Sequence, residues 1–139
     1  MVALATAANP RFVAWDLELL RDGPSYTVDT VSRLLEERPE DVVVVIVGSD
    51  TFPEMAAWRA PARLFALCTV AVVSRPGENE NGAPPVAPFP GSRGVEHVQG
   101  PGLPISSTVI RQRVREGRSV RYLVPDGVAD YIVQRGLYG

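Results

Sequence analysis

The segment DVVVVIVGSD, Asp41 to Asp50, sets an unbroken row of β-branched residues before a Gly-Ser-Asp ending. Successive side chains on a strand point to opposite faces, so a half-exposed strand alternates apolar with polar residues. Val42 to Val47 shows no such alternation and reads as a parallel strand covered on both faces. Parallel neighbours cannot be joined by a tight hairpin; they require a crossover, usually a helix. The fold therefore depends on what flanks this run.

On its N-terminal side, Thr27 to Arg38 is helical by pattern. Val28, Val31, Leu34 and Leu35 share one face, Thr27 is placed to cap the start, and Pro39 stops the helix. Before it, FVAWDLELL from Phe12 is a mixed apolar run suited to a strand, broken by Gly23-Pro24. On the C-terminal side, Trp58 to Leu67 suits a helix with Pro61 near its start, and TVAVV from Thr69 is another buried strand. Gly77 to Gly102 is dense in Gly and Pro and is expected to be mostly a flexible loop, with Val95 to Val98 as a short strand inside it. The part from 103 to 139 is helical: Ser107 to Glu116 closed by Gly117, and Asp126 to Gln134 entered through Pro125 and closed by Gly136. Strands alternating with helices give an α/β class with a parallel sheet, and residues 1–139 are expected to form one domain.

Composition limits what such a domain can do. The chain has 139 residues, 45% of them hydrophobic, enough for a single core. Its formal charge of -2 supplies no general field for a polyanion, so nucleic acid is not expected as a partner and any phosphate site must be local. Neither a membrane-length apolar run nor a basic, apolar leader is present, and a cytoplasmic location without a membrane partner is expected. All 14 basic residues are arginine, which excludes lysine Schiff bases and the lysine of a Walker phosphate loop. His97 is the only histidine, so a two-histidine metal site cannot form within one chain. Cys68, in LFALCTVAVV, is the only cysteine and reads as core.

One stretch suits a local phosphate site. In LPISSTVIRQRVREG, Ser106, Ser107 and Thr108 stand where a loop enters a helix, with free backbone N–H groups and the positive end of the helix dipole beside their hydroxyls. Arg111 follows Thr108 by three positions, on the same face of the first turn. The same residues would serve equally as an ordinary helix cap followed by a solvated arginine face.

ISSTVIR resembles the second signature of the nicotinate-nucleotide adenylyltransferases, members of the nucleotidyltransferase superfamily. GPSYTVDT (Gly23 to Thr30), VGSD (Val47 to Asp50), Trp58, VVSRPG (Val72 to Gly77) and YLVPDGVADYI (Tyr122 to Ile132) are similar to segments of that family and occur in the family's order. The resemblance covers nearly the whole chain apart from the loop after Gly77. It implies a Rossmann-like, doubly wound parallel sheet and the transfer of AMP from ATP to nicotinate mononucleotide, in NAD biosynthesis.

The resemblance also implies roles for particular residues. Gly48, Asp50, Arg75, Ser106, Ser107, Thr108 and Arg111 would bind ATP, with Arg111 the catalytic residue that stabilises the leaving pyrophosphate together with the Mg2+ carried by ATP. Tyr26 and Thr27 would receive the nicotinate carboxylate, and Trp58 would stack on the pyridine ring. Ordinary structural roles remain open beside each: a cap for Thr27, a core position for Trp58, a turn for Gly48 and Asp50.

The sequence departs from the family at one place. The family's Gly-rich loop with two histidines, G-x-F-x-P-x-H-x-G-H, is absent from these 139 residues. The expected sheet is accordingly incomplete, with its first two strands missing, and self-association through an open strand edge is expected. Three readings follow: a complete adenylyltransferase whose start was misassigned, a non-catalytic nucleotide-binding remnant, and a fragment completed by a partner chain.

Overall fold

The computed structural model describes residues 1–74, 88–100, 103 and 105–139. In chain order the elements are α1 (Val2–Thr6), α2 (Thr27–Glu37), β1 (Val44–Gly48), a 3-10 segment (Phe52–Ala57), α3 (Pro61–Leu67), β2 (Thr69–Ser74), β3 (Val95–Gln99), α4 (Ser107–Arg115) and α5 (Asp126–Gln134). They fall into two compact units, Leu17–Leu103 and Met1–Asp16 with Pro104–Gly139.

The Leu17–Leu103 unit holds a three-stranded sheet in the order β1-β2-β3, parallel throughout. Val44 lies opposite Thr69 and Gly48 opposite Val73, while Val70 lies opposite Val95. The crossover from β1 to β2 runs through the 3-10 segment and α3, as a parallel pair requires. On one face of the sheet, Val43, Val47, Val70 and Val72 pack with Val28 and Val31 of α2, Leu64 and Phe65 of α3, and Met55 of the 3-10 segment. The Phe65 ring stands edge-on to Phe52 at 6.4 Å and tilted against Phe89 at 5.6 Å. Burying each such side chain contributes about 1.5–3 kcal/mol, so this cluster carries much of the unit's stability.

Local sequence explains the element ends. In α2 the apolar stripe faces the core, while Arg33 on the outside pairs with Glu36 and Glu37. Asp29 sits in the first turn, where a negative charge favours the helix dipole. Helix α2 ends at Glu37, with Arg38 as its C-cap immediately before Pro39. Cys68 is fully buried and its Sγ donates to the Leu64 carbonyl at 3.2 Å. That burial pushes the thiol pKa up, with the charge of Arg93 only partly opposing it.

In the other unit, Ile110 of α4, Val128 and Ile132 of α5, and Val120 between them form a second, smaller core. Short α1 packs against α5.

Several expectations need correction. Phe12 to Trp15 forms no strand; Phe12 is 60% and Val13 82% exposed, and Leu17–Leu20 are in turns. An apolar run becomes a strand only when an edge pairs it and a layer covers it, and composition alone supplies neither. Val42 to Val47 is covered on one face only: Val43 and Val47 are buried, but Val44 is 48% and Ile46 72% exposed. An all-aliphatic strand tolerates two covered faces without guaranteeing them. Tyr26, in extended conformation, is the N-cap of α2, and Thr27 is its first helical residue with no capping hydrogen bond from the side chain at this end. Trp58 to Leu67 is not one helix, because Ala60 adopts a left-handed conformation with φ of 46° and α3 begins only at Pro61. The expected strand at Val95–Val98 is present as β3, one residue longer.

Phe65→Ala should lower stability by about 3–5 kcal/mol, read from the urea midpoint of the full chain. Leu19→Ala, at a position 87% exposed, should change it by less than about 0.5 kcal/mol. Comparable losses from both would contradict the core as described.

Candidate functional site

Two groups of candidate residues lie in the Leu17–Leu103 unit. The first surrounds the start of α2. Ser25, Tyr26, Thr27 and Val28 line a cavity of about 320 Å³ with Ala57, Trp58 and Arg59. The first N–H groups of a helix have no intrahelical acceptor, so Thr27 and Val28 bring unsatisfied donors and the positive end of a dipole to this cavity. Trp58 arrives because the 3-10 segment stops at Ala57 and the chain turns extended, with ψ of 168° at Trp58. The reversal at Ala60 then sends α3 away. The Arg59 guanidinium lies 4.5 Å from the centre of the Tyr26 ring and 4.0 Å from the Asp29 carboxylate.

The second group stands at the C-terminal end of β1, the end where open parallel sheets bind ligands. Gly48 ends the strand, and a Cβ there would collide with Asp50 Oδ1. That oxygen accepts the Thr51 N–H at 2.9 Å, and the Thr51 N–H also lies 3.1 Å from the Gly48 carbonyl. Ser49 N–H reaches across to the Val73 carbonyl at 3.0 Å, tying the turn to β2. Gly48 and Asp50 thus belong to a turn, with Asp50 exposed at its tip. Arg75, expected beside this turn, lies outside the described residues.

In the other unit, Ser106 is the N-cap of α4, and its Oγ accepts the Val109 N–H at 3.2 Å. Its hydroxyl therefore serves the helix. Ser107 and Thr108 occupy the first turn and are exposed, as is Arg111. Arg111 lies 5.9 Å from the Tyr138 ring, near the outer limit of a cation–π contact. Glu116, a conceivable partner for it, is engaged elsewhere: it accepts from Gln112 Nε2 at 2.8 Å and pairs with Arg118 at 3.3 Å. The hydrogen bond from Gln112, then that from Arg118, hold the Glu116 carboxyl below its ordinary range. Among the described residues, Arg111 forms no ion pair. A larger cavity of about 750 Å³ in this unit is lined by Val114, Arg118, Arg121, Asp126 and Ile132, among others, and includes none of the expected site residues.

The structure thus gathers Tyr26, Thr27 and Trp58 around one cavity. It adds Arg59, the sequence neighbour of Trp58 and a residue to which the family's motifs assign no role. The available signal was the pairing of an aromatic and a cation ahead of a proline. Among the described residues no group of three or more His, Cys, Asp or Glu could hold a metal ion, and no helix is long and apolar enough to cross a membrane.

Comparison with solved structures defines the class first. A Plasmodium falciparum nicotinic acid mononucleotide adenylyltransferase complexed with APC matches with a TM-score of 0.62 at 16% identity, covering 84% of this chain and 60% of that one. The shared architecture is the Rossmann-like α/β fold. Curated sequences then give the family. A "Probable nicotinate-nucleotide adenylyltransferase" of Geobacillus kaustophilus is 41% identical across 100% of this chain and 60% of the relative. Proteins of the same name from Thermus thermophilus and Geobacter metallireducens are 43% and 40% identical, each across 99% of this chain and 70% and 72% of the relative, respectively. No family model matches. The chain belongs to the nicotinate-nucleotide adenylyltransferase family, and it spans 60% of the length of the Geobacillus relative.

The cap geometry generates one prediction. Ser106→Ala should destabilise the α4 unit by about 1 kcal/mol, whereas Ser107→Ala and Thr108→Ala should leave the melting temperature nearly unchanged. Equal losses at all three positions would contradict the assignment of Ser106 alone as the cap.

Proposed function

We propose that this protein takes part in adenylyl transfer from ATP to nicotinate mononucleotide, giving deamido-NAD and pyrophosphate. The observation that carries the reading is the cavity where Tyr26, Thr27, Trp58 and Arg59 meet in a member of this family. It combines a flat aromatic surface with helix N–H donors and a cation, which is what a planar ring carrying a carboxylate needs.

In this reading Trp58 stacks on the pyridine ring, and the start of α2 receives the carboxylate through the N–H groups of Thr27 and Val28 and the Thr27 hydroxyl, with Tyr26 at the cap beside them. Gly48 and Asp50 serve the ATP side: the glycine admits close backbone approach, and the exposed aspartate accepts bonds from ribose hydroxyls. Arg75 adds positive charge to the same substrate. Ser107, Thr108 and the start of α4 bind phosphate, while Ser106 holds that helix start in shape. Arg111, free of any carboxylate partner among the described residues, is available to the pyrophosphate. Magnesium enters as part of the MgATP substrate.

The chemistry balances without a covalent enzyme intermediate. An oxygen of the mononucleotide phosphate forms a bond to the α-phosphorus of ATP, and the bond from that phosphorus to the bridging oxygen of pyrophosphate breaks. The protein's contribution is to position the two substrates and neutralise charge on the leaving group.

Two substitutions separate the roles. Trp58→Ala should weaken nicotinate mononucleotide binding by about 1–3 kcal/mol and leave ATP binding nearly unchanged, as measured by calorimetry. Arg111→Ala should reduce ATP binding and pyrophosphate release in a coupled assay while sparing the mononucleotide. Equal effects of either change on both substrates would count against the assignment. Binding of both substrates with no pyrophosphate release would instead favour a nucleotide-binding, non-catalytic role.

A further inference from the structure

We propose that Arg59 is the residue by which this cavity distinguishes a pyridine ring carrying a carboxylate from the same ring carrying a neutral carboxamide. The inference rests on the mononucleotide reading of the cavity given above.

Of the residues lining the cavity, Ser25, Tyr26, Thr27, Val28, Ala57, Trp58 and Arg59, only Arg59 is charged. The others separate the two rings less sharply, although the positive end of the α2 dipole also favours an anion. Trp58 offers the same stacking surface to either, and a helix N–H donates to an amide oxygen as well as to a carboxylate oxygen. The groups differ in charge and in one atom: where the carboxylate has a second acceptor, the carboxamide has an NH2 donor. A guanidinium fork presents only donors. It pairs both oxygens of a carboxylate and meets the carboxamide NH2 donor to donor.

The structure also prepares Arg59 for this task. The Tyr26 ring lies 4.5 Å from its Cζ, within cation–π range, which restricts where the guanidinium sits. Among the described residues only Nη1 is near a carboxylate, Asp29 Oδ2, and at 4.0 Å that contact is at the limit of an ion pair. Both side chains are substantially exposed, so water screens the pair and it competes poorly with a ligand carboxylate. The remaining guanidinium donors stay available. Arg59 is thus held at the cavity without being consumed there.

The test uses calorimetric titration of the full chain with nicotinate mononucleotide and, separately, nicotinamide mononucleotide. The unchanged protein should prefer the nicotinate form. Arg59→Gln keeps a polar, hydrogen-bonding side chain without charge and should weaken nicotinate mononucleotide about tenfold while changing nicotinamide mononucleotide less than about twofold. Arg59→Lys keeps the charge without the fork and should fall between. Far-UV circular dichroism of each variant confirms folding. Equal weakening of both ligands, or an undiminished preference in Arg59→Gln, overturns the role of Arg59 while leaving the mononucleotide reading intact. Failure of the unchanged protein to bind either ligand overturns both.

Discussion

Strand β2 is hydrogen-bonded along both edges, to β1 on one side and β3 on the other, and the Leu17–Leu103 unit depends on that double pairing. Register follows from it. Gly48 is fixed opposite Val73, so the turn carrying Asp50 emerges at the C-terminal edge of the sheet. The Ser49 N–H bond to the Val73 carbonyl continues the pairing one residue past the strand and secures the turn. A slip of one residue would carry Val70 and Val72 away from Leu64 and Phe65, exposing the most buried face in the unit. Packing therefore enforces the register, and the register positions the turn.

The cavity depends on a different device, interruption of regular structure. Trp58 lies between a 3-10 segment that has ended and an α-helix that has not begun. Had the helix run unbroken through this stretch, the indole would have taken a helical direction set by the core face. Instead Ala60 adopts a left-handed conformation, unfavourable for a residue with a Cβ, directly before Pro61. Local strain of about 1–3 kcal/mol is maintained only where the surroundings hold it, and here Leu64 and Phe65, fully buried a few residues later, provide the anchor. Strain at Ala60, display of Trp58 and Arg59, and the cavity at the start of α2 form one chain of causes.

What the sequence made legible follows from the range of each signal. Asp126 to Gln134 was readable to the residue, because Pro125 and Gly136 frame a helix by local chemistry alone. Helix α2 was readable to within a residue or two for the same reason, and β1, β2 and β3 from their β-branched residues. The run from Phe12 has the composition of a strand yet forms none, because pairing is a tertiary property with no local marker. Coverage of Val42 to Val47 departs from expectation for a related reason: six aliphatic side chains state what the strand tolerates, not which face is covered, and Val44 and Ile46 are exposed. Within the cavity, Tyr26, Thr27 and Trp58 were legible through the family's motifs. The contribution of Arg59 was not, since its distances to Tyr26 and Asp29 cross about thirty residues of sequence.

The central claim is that the start of α2 and the Trp58-Arg59 corner together form a mononucleotide pocket. Backbone amide and indole chemical shifts, followed by NMR as nicotinate mononucleotide is added to the 15N-labelled chain, test it most directly. The account predicts saturable shifts concentrated at Tyr26, Thr27, Val28, Trp58 and Arg59, including the Trp58 indole N–H, with Trp15 as an internal control that stays still. Shifts confined to the Val114, Arg118 and Ile132 cavity, or equal movement of both indoles, would contradict it.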